Sequence, residues 1–423
     1  MRILFFTDNF PPETNAAATR VYERALYWVK WGHQVTIITC QPNFPHGKVF
    51  DGYQNRTSTE TMDGLRVVRV RTYISPNQGV IRRVADFLSF MVNGYRAAGQ
   101  EPAPDVVIST SPQFFAAVAA WWFAKRHAYR YVFELGDLWP ASIAAVGAMK
   151  ANLALRLIEK LELKMYRDAD AVVALTASFK QNLVQRHISE NKIAVVINGV
   201  DLWRYAPKPR TAALAARAGT TDARCVIGYI GTHGMAHALG NVLDAAALLL
   251  ERTDIAFLLV GAGAERNALL ARAETEGLKN VRFLEAQPKD RMPDVWSLCD
   301  VALVHLKDSP VFEGVIPSKI FEAMGMGLPI IFTGPVGEGS RIVSDAGAGL
   351  VVPPEDPEAL AGAVRQIADD PEFCTRVAKQ SRNAAPGFSR ETQAKHMLCV
   401  LEAVIAGNGG AVGTILPEST KPS

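Results

Sequence analysis

The residues best suited to chemistry lie in the segment Glu313–Pro329, which reads E-G-V-I-P-S-K-I-F-E-A-M-G-M-G-L-P. Pro317-Ser318 predicts the start of a short helix, and Gly325–Gly327 predicts its end. Lys319 falls in the first turn, where the helix dipole disfavours a cation unless a bound anion lies beside it. Glu322 follows about one turn later and could reach a polyol hydroxyl. The segment predicts an anion site, the alternative being a surface helix with solvated charges.

Two glycine-bearing turns follow apolar runs in the second half of the chain. The first, Ile230–His237, reads I-G-T-H-G-M-A-H, and its backbone amides with an imidazole at a helix start predict a cradle for a diphosphate. Its two histidines do not predict a metal site, because no third ligand is adjacent. The second turn, Gly261–Gly263, lacks the third glycine and the acidic ribose residue of a dinucleotide fingerprint, so an NAD site is not predicted.

A loop near the start of the chain could bind a phosphate. Asp8–Arg20 combines Glu13, the small residues Asn15 and Ala16 near a helix start, and Arg20. Small residues let backbone amides approach a phosphate, and arginine offers a bidentate cation. An ordinary loop followed by a capped helix explains the same residues about as well.

Asp137 follows another predicted strand, in the segment F-E-L-G-D-L-W-P. Open α/β sheets bind ligands outside the carboxyl ends of their strands, so this loop is a candidate site. Asp137 could orient or activate an acceptor hydroxyl as a base. Alternatively, it is only a favourable charge at a helix N-terminus.

Two series of apolar, β-branched runs alternate with helical patterns and must position these loops. The first series of predicted strands covers residues 2–7, 34–39, 65–70, 105–109, 131–134, 171–174 and 193–197. The second covers residues 225–230, 255–260, 281–284, 300–304, 328–332 and 349–352. This alternation predicts an α/β protein with two parallel sheets. The predicted domains are residues 1–203 and 225–387, joined by a linker at 204–224, and residues 407–423 are predicted to be a disordered tail.

Length and composition narrow the classes of function. The chain has 423 residues, 49% of them hydrophobic and 21% charged, with a net charge of +3, which fits a globular protein and not a nucleic-acid binder. The five cysteines are scattered and odd in number, which predicts neither a disulfide framework nor a zinc site. The N-terminus does not resemble a signal peptide, so a cytoplasmic protein is expected.

Six motifs spread over nearly the whole chain resemble the retaining glycosyltransferases of family 4. They are F-P-P-E, W-G-H-Q-V-T-I-I-T, N-G-V-D, Y-I-G-T-H-G, L-V-G-A-G and P-S-K-I-F-E-A-M-G-M-G-L-P-I-I. The segments N-F-P-H-G-K-V-F-D-G-Y and D-L-W-P are similar to the WbuB-type sugar transferases of surface-polysaccharide assembly. The resemblance implies the GT-B fold, in which two Rossmann-like domains with parallel sheets face each other and a C-terminal helix, here within 388–406, crosses back to the N-terminal domain.

The resemblance also implies roles for residues. The C-terminal domain is expected to bind a nucleotide sugar and the N-terminal domain an acceptor. Of the family's Glu-x7-Glu pair, Glu322 matches the second position, on the nucleotide ribose. The first position, on the donor sugar, falls on Gly314, with Glu313 one residue early. The family's diphosphate-binding Arg and Lys fall on Thr232 and His237, so turn amides, His237 and Lys319 are expected to stabilise the leaving group.

The predicted site residues form three groups. The catalytic candidates are Lys319, Glu322, Glu313, Asp137 and His237. The donor-binding candidates are Gly231, His233, Gly234, Gly261, Gly263, Gln287, Pro317, Ser318, Lys319 and Glu322. The acceptor or phosphate-loop candidates are Glu13, Asn15, Ala16 and Arg20. No metal ligands and no cofactor are predicted, since fixed cations and dipoles can stabilise the leaving group.

The expected function is metal-independent, retaining transfer of a sugar to a lipid-linked saccharide in bacterial synthesis of O-antigen, capsule or exopolysaccharide. Basic and aromatic residues over 82–91 and at Trp121-Trp122 predict association with the inner face of the plasma membrane, although core packing explains them about as well. Two alternatives stay open: a nucleotide-sugar 2-epimerase on the same fold, and a catalytically inactive partner subunit, suggested by Gly314. The base, UDP, GDP or dTDP, also stays open.

Overall fold

The computed structural model describes residues 1–13, 15–44, 47–74, 80–111, 114–138 and 153–414. The chain divides into two compact units. The N-terminal unit contains Met1–Asn198 and the described chain from Arg390 onward, and the C-terminal unit contains Gly199–Ser389.

The N-terminal unit is built on an eight-stranded sheet in the order β3-β4-β2-β1-β5-β6-β7-β8. The strands are β1 (Arg2–Phe6), β2 (Gln34–Cys40), β3 (Ser58–Met62), β4 (Leu65–Val70), β5 (Val106–Thr110), β6 (Arg130–Leu135), β7 (Ala171–Ala174) and β8 (Ile193–Val195). The helices that connect them are α1 (Ala16–Lys30), α2 (Val80–Ala98), α3 (Phe114–His127), α4 (Leu153–Asp168) and α5 (Ala177–Gln185). Every residue of β5 and β7 is buried, as expected for central strands covered by helices on both faces.

One strand of this sheet was not predicted. β3 runs antiparallel to β4 at the sheet edge, whereas the other strand pairs are parallel. Asp63 and Gly64 connect the two strands with φ angles of 49° and 84°, the geometry of a tight hairpin turn. The prediction of a purely parallel sheet is therefore wrong at this edge. The sequence S-T-E-T-M is mostly polar and half-exposed, so β3 lacks the apolar run by which the other strands were recognised.

The C-terminal unit has a six-stranded, wholly parallel sheet in the order β11-β10-β9-β12-β13-β14. The strands are β9 (Cys225–Ile230), β10 (Ile255–Val260), β11 (Val281–Leu284), β12 (Val301–His305), β13 (Ile330–Thr333) and β14 (Gly349–Val352). The helices are α6 (Ala212–Ala218), α7 (Gly240–Ala247), α8 (Arg266–Thr275), α9 (Met292–Trp296), α10 (Lys319–Met326), α11 (Glu338–Asp345), α12 (Pro357–Asp369) and α13 (Pro371–Ala384). Two α/β units, one with a wholly parallel sheet and one with a sheet that is parallel except at the β3 edge, confirm the predicted fold class.

The boundary between the units differs from the prediction. The chain crosses after Asn198, and residues 204–224, predicted to be a linker, belong to the C-terminal unit. They contain α6, which begins at the N-cap Thr211 and ends at Gly219, where φ is 65°. Tyr205 is buried in the same unit, which fixes the start of this segment. The alanine-rich stretch lacks a strand signal because it forms a helix.

The last helix, α14 (Arg390–Ile405), returns to the N-terminal unit and packs on α1. The Trp28 indole donates a 3.1 Å hydrogen bond to the carbonyl of Ala394. The tail predicted to be disordered continues as a 3₁₀ turn, Gly409–Thr414, in which Val412 is buried. The prediction of disorder is wrong for this turn, because one buried valine anchors a sequence that has no apolar periodicity. Residues 415–423 lie outside the described residues.

Candidate active site

α10 presents its N-terminus much as the sequence predicts. It begins at Lys319, directly after Ser318, and ends at Gly327, whose φ of 72° is typical of a helix C-terminus. Gly325, predicted to contribute to the stop, lies inside the helix. A Cβ there would come within 2.8 Å of the carbonyl oxygen of Tyr205, so this glycine permits close packing instead of ending the helix.

Lys319, the first residue of α10, is buried. Its residue is 8% exposed, and among the described residues no atom accepts a hydrogen bond from Nζ. Nζ lies 3.7 Å from the centroid of the Tyr229 ring. Burial lowers the pKa of Lys319 to about 7, and the charge of Glu322 opposes this only in part. An unpaired buried ammonium is costly, so this site is expected to receive an anion.

The turn after β9 lies against this ammonium. A Cβ placed on Gly231 would be 2.8 Å from Lys319 Nζ and would displace the tip of the lysine, and the φ of 154° at this position also favours glycine. The turn after β10 packs on the first turn backbone to backbone: a Cβ on Gly261 would lie 1.9 Å from the carbonyl oxygen of Gly231, and one on Gly263 would lie 2.2 Å from that of His233. The structure thus brings together four of the predicted donor residues and Lys319.

The two histidines of the first turn have different environments. His233 is fully buried, which lowers its pKa to about 4. His237 closes a 3₁₀ turn that follows Gly234, and its Nδ1 donates a 3.2 Å hydrogen bond to the carbonyl of His305. Burial, followed by the charge of Lys319, lowers the pKa of His237. A neutral ring that donates from Nδ1 leaves Nε2 as an acceptor, so His237 must take up a proton before Nε2 can donate to an oxyanion.

Glu322 lies one turn after Lys319 and is held by an aromatic side chain. The indole Nε1 of Trp296 donates a 3.0 Å hydrogen bond to Oε2 of Glu322. Burial raises the pKa of Glu322, and the hydrogen bonds from Trp296 and Tyr205 oppose that shift. Trp296 was not predicted as a site residue, because a single buried tryptophan on a short helix has no signal other than core packing.

The remaining predicted site residues of this unit make backbone contacts or short-range side-chain contacts. The carbonyl of Glu313 accepts a 2.8 Å hydrogen bond from the amide of Glu338, while the side chain of Glu313 is exposed. The chain near Gly314 is thereby fixed to the start of α11. Gln287 follows β11, and its side-chain amide donates to the nearby carbonyl of Glu285 at 3.1 Å. Pro317 precedes the helix, and Ser318 makes no side-chain capping bond.

In the N-terminal unit, the side chains of the predicted phosphate loop are engaged by other groups of the same unit. Oε1 of Glu13 accepts hydrogen bonds from the amides of Asn43 and Phe44, at 2.8 and 2.9 Å, in a buried position. Asn15 is the N-cap of α1, and its Oδ1 accepts from the amide of Ala18 at 2.9 Å. Ala16 is the first residue of this helix. The capped-helix alternative therefore describes these contacts, and anion binding by this loop stays a prediction.

Arg20 is turned into the protein. Its Nε lies 3.2 Å from Oε1 of Glu134, and its Nη2 donates to Thr110 Oγ1 at 3.0 Å. Arg24 donates to the same carboxylate oxygen at 2.7 Å. Burial alone would raise the pKa of Glu134, but Arg24 and Arg20 outweigh burial and lower it. Sequence reasoning overlooked Glu134, although the same segment drew attention to Asp137.

Asp137 is positioned by a serine from the neighbouring strand end. Ser111 Oγ accepts hydrogen bonds from the amides of Gly136 and Asp137, at 2.8 and 3.2 Å, and donates to the carbonyl of Asp137 at 3.1 Å. These bonds fix the backbone of Asp137, whose side chain is half-buried. The rest of the segment, from Trp139, lies outside the described residues.

An open cavity of about 860 Å³ lies in the N-terminal unit, formed by the loops that follow β1 and β2. Its lining residues are Pro12, Lys48, Val49, Phe50, Asp51 and Tyr53. The lining combines a cation, a carboxylate and two aromatic rings, a mixture suited to sugar and phosphate groups. Within the described residues, no group of three or more His, Cys, Asp or Glu side chains could hold a metal ion.

Comparison with known proteins identifies the family. Residues 15–199 match the model of a glycosyl transferase 4-like domain, and residues 224–370 match that of glycosyl transferases group 1. The chain belongs to the family 4 glycosyltransferases. The resemblance stated from the sequence motifs is thereby confirmed.

Relatives of this glycosyltransferase include WcaI of Escherichia coli K12, a glycosyl transferase assigned to colanic acid biosynthesis. It is 24% identical over 375 residues, which cover 86% of this chain and 92% of WcaI. The glycosyltransferase WbjE of Pseudomonas aeruginosa is 26% identical over 57% of this chain and 60% of its own length. HepE of Anabaena, crystallised with UDP, has a TM-score of 0.71 at 17% identity and covers 95% of this chain and 100% of its own. This likeness shows the GT-B fold.

Proposed function

We propose that this glycosyltransferase moves a sugar from a nucleotide-sugar donor, with retention of anomeric configuration, to a lipid-linked saccharide acceptor during synthesis of a bacterial surface polysaccharide. The observation that carries the proposal is the buried, unpaired ammonium of Lys319 at the N-terminus of α10, against the glycine turn at Gly231. The amides of Gly231 and His233 already donate to the carbonyls of Val260 and Ala262. A diphosphate is the anion that suits a helix N-terminus, a buried cation and the other amides of this turn together.

The chemistry follows from where charge develops. As the bond between the donor sugar and the diphosphate breaks, negative charge grows on the leaving phosphate oxygens. Lys319 and the turn amides are fixed before the reaction, so they stabilise that charge without reorganising. His237 adds a further donor once the diphosphate has raised its pKa enough for protonation. Glu322, already oriented by Trp296, accepts hydrogen bonds from the ribose hydroxyls.

The donor sugar would lie near Gly314, where the family pair has its first glutamate. Because the backbone of Glu313 is tied to the start of α11, we assign the sugar contact to backbone amides near Gly314 and to the exposed Glu313 carboxylate. Glu313→Ala and Glu322→Ala separate the two positions. Glu313→Ala is expected to weaken binding of the nucleotide sugar more than binding of the free nucleoside diphosphate. Glu322→Ala is expected to weaken binding of both.

The acceptor is proposed to bind the N-terminal unit, at the cavity lined by Lys48 and Tyr53, with Asp137, in the loop after β6, as the base or orienting group. The assignment of WcaI to colanic acid biosynthesis supports a polysaccharide pathway.

A membrane-bound acceptor is supported by α2 and α3. Leu88 and Val92 are exposed one turn apart on α2, and Trp122 is 51% exposed on α3, whereas Phe90, predicted for the same face, is buried in the core. Of the described helices, none is long and apolar enough to span a membrane. Flotation with anionic liposomes tests this part of the proposal. Trp122→Ser should reduce binding, and a wild-type protein that stays with the unbound fraction would contradict it.

A thermal-shift screen over UDP-, GDP- and dTDP-sugars tests the proposed donor class. A donor at 100 times its dissociation constant should stabilise the fold by about 2.7 kcal/mol. Donor consumption should then require an added saccharide acceptor and should persist in EDTA. Turnover without an acceptor would indicate the 2-epimerase, and binding without turnover over a panel of acceptors would indicate the inactive subunit.

A further inference from the structure

Tyr229 lies directly beside the Lys319 ammonium. The ring centroid is 3.7 Å from Nζ, well inside the roughly 6 Å range of a cation–π contact. The hydroxyl of Tyr229 donates a 2.8 Å hydrogen bond to the carbonyl of Thr232, in the turn that follows Gly231. The residue is fully buried on β9, so the core fixes the orientation of its ring. One side chain therefore contacts both the lysine and the glycine turn.

The other ionisable groups near Lys319 do not hold its ammonium. Glu322, on the same helix, acts on it through space, and Oε2 of Glu322 is occupied by the indole of Trp296. His233 and His237 follow β9, and His305 ends β12; the charge of Lys319 contributes to a lowered pKa at each of the three. In the described part of the chain none of these groups accepts a hydrogen bond from Nζ. The Tyr229 ring is thus the close stabilising contact.

We propose that Tyr229 is a positioning residue for donor binding: its ring holds the Lys319 ammonium, charged and in one rotamer, against the glycine turn where the diphosphate of the donor binds. This inference rests on the proposed function, because it takes that diphosphate as the anion at Lys319.

A ring suits this task better than a carboxylate. It attracts the ammonium through its face but leaves the N–H donors that point away from the ring available for phosphate oxygens. A carboxylate in the same place would occupy those donors and compete with the diphosphate. The ring also favours the charged form of a lysine whose pKa burial has lowered to about 7. Without the ring, the amine would more often be neutral, and diphosphate binding would have to bring in the missing proton.

Calorimetric titration with UDP, GDP and dTDP tests the inference. Wild type, Tyr229→Phe and Tyr229→Leu are compared from pH 6 to pH 8.5, in buffers of different ionisation enthalpy, which reports the protons taken up on binding. Tyr229→Leu should lower the affinity for the tightest-binding of the three ligands by about 10- to 30-fold at pH 8 and by less at pH 6. It should also increase the number of protons taken up on binding. Tyr229→Phe keeps the ring and should retain wild-type affinity and uptake.

Two further variants separate positioning from packing. Phe257→Leu removes a buried ring from β10, on the same core face as Tyr229, and should leave affinity and proton uptake unchanged. In a Lys319→Met background, Tyr229→Leu should have no further effect on affinity, because its partner is gone. The positioning role would be overturned if Tyr229→Leu lowered the affinity equally in the wild-type and Lys319→Met backgrounds. It would also be overturned if Phe257→Leu lowered the affinity as much as Tyr229→Leu.

The design also separates this inference from the proposed function. If wild type binds none of the three nucleoside diphosphates, the proposed donor site itself is wrong. If wild type binds one of them and Lys319→Met does not, but Tyr229→Leu binds like wild type at every pH, then the donor site stands and the role of Tyr229 is refuted.

Discussion

Buried cations at the carboxyl ends of the two sheets are stabilised in different ways. In the N-terminal unit, Arg20 and Arg24 share the carboxylate of Glu134, at 3.2 and 2.7 Å. In the C-terminal unit, Lys319 has an aromatic ring at 3.7 Å and no carboxylate contact among the described residues. Glu134 offsets part of the charge of the two arginines within the protein, whereas the buried lysine on a ring has no carboxylate contact within the described part of the chain and keeps N–H donors for another anion. The difference separates a structural charge cluster from a candidate ligand site.

The largest expected effect concerns the paired cluster. Glu134→Gln removes the negative charge and leaves two buried guanidinium groups without it, which should lower the free energy of unfolding by about 3–5 kcal/mol. Denaturant unfolding measures the loss. Glu391→Gln is the matched control, because its pair with Lys395 lies on an exposed helix face and is worth under about 1 kcal/mol. Similar stability of both variants would mean that Glu134 does not hold the cluster together.

Removing the Lys319 cation should affect activity and not stability, in contrast to Glu134→Gln. Lys319→Met takes away a charge that the fold does not neutralise, so stability should hold or increase, while kcat/KM should fall by about 100- to 1,000-fold, or 2.7–4 kcal/mol. The exposed Lys379→Met is the control and should change neither quantity. A Lys319→Met protein that is destabilised but fully active would make Lys319 a structural cation like Arg24.

Glu322 extends the comparison to the ribose side of the proposed site. Glu322→Ala should weaken binding of the cognate nucleoside diphosphate by about 1.5–3 kcal/mol, which is the range for a hydrogen bond to a charged group. The same substitution should have little effect on an analogue that lacks the ribose hydroxyls. Unchanged donor affinity in Glu322→Ala would place the nucleotide elsewhere.

The pH dependence of stability and of donor affinity should also differ between wild type and Lys319→Met. This effect should be smaller than the effects of the substitutions above. The pKa of Lys319 is about 7 in the folded protein and 10.5 when unperturbed, so between these values the unfolded chain binds more protons and stability rises with pH. A bound diphosphate raises the pKa of Lys319, so donor affinity should fall over the same interval. The slopes of stability and of donor affinity against pH should both become flatter in Lys319→Met. If the pH profiles of the two proteins are parallel, the pH dependence arises from other groups.

The sequence predicts the parts of the fold and site that have local signals. The central strands are continuous apolar runs, and α10 has its start and its final glycine marked, so both could be placed from sequence alone. β3 is polar and half-exposed, and only its Asp63-Gly64 turn signals a hairpin. Tyr229 and Trp296 could not be recognised, because their roles depend on partners 90 and 26 residues away that only tertiary packing brings close. Arg20 was predicted to face a ligand for the same reason: its partner Glu134 is distant in sequence.

The most direct test of the donor site compares nucleoside diphosphate with nucleoside monophosphate binding in wild type and Lys319→Met. Calorimetry is carried out with UDP and UMP, and with the corresponding di- and monophosphates of the GDP and dTDP bases. For the base that binds, the two ligands and the two proteins give four dissociation constants. If Lys319 holds the diphosphate, wild type should prefer the diphosphate strongly, and Lys319→Met should lose most of that preference while keeping its affinity for the monophosphate. An undiminished preference in Lys319→Met would contradict the assignment of Lys319 to the donor diphosphate.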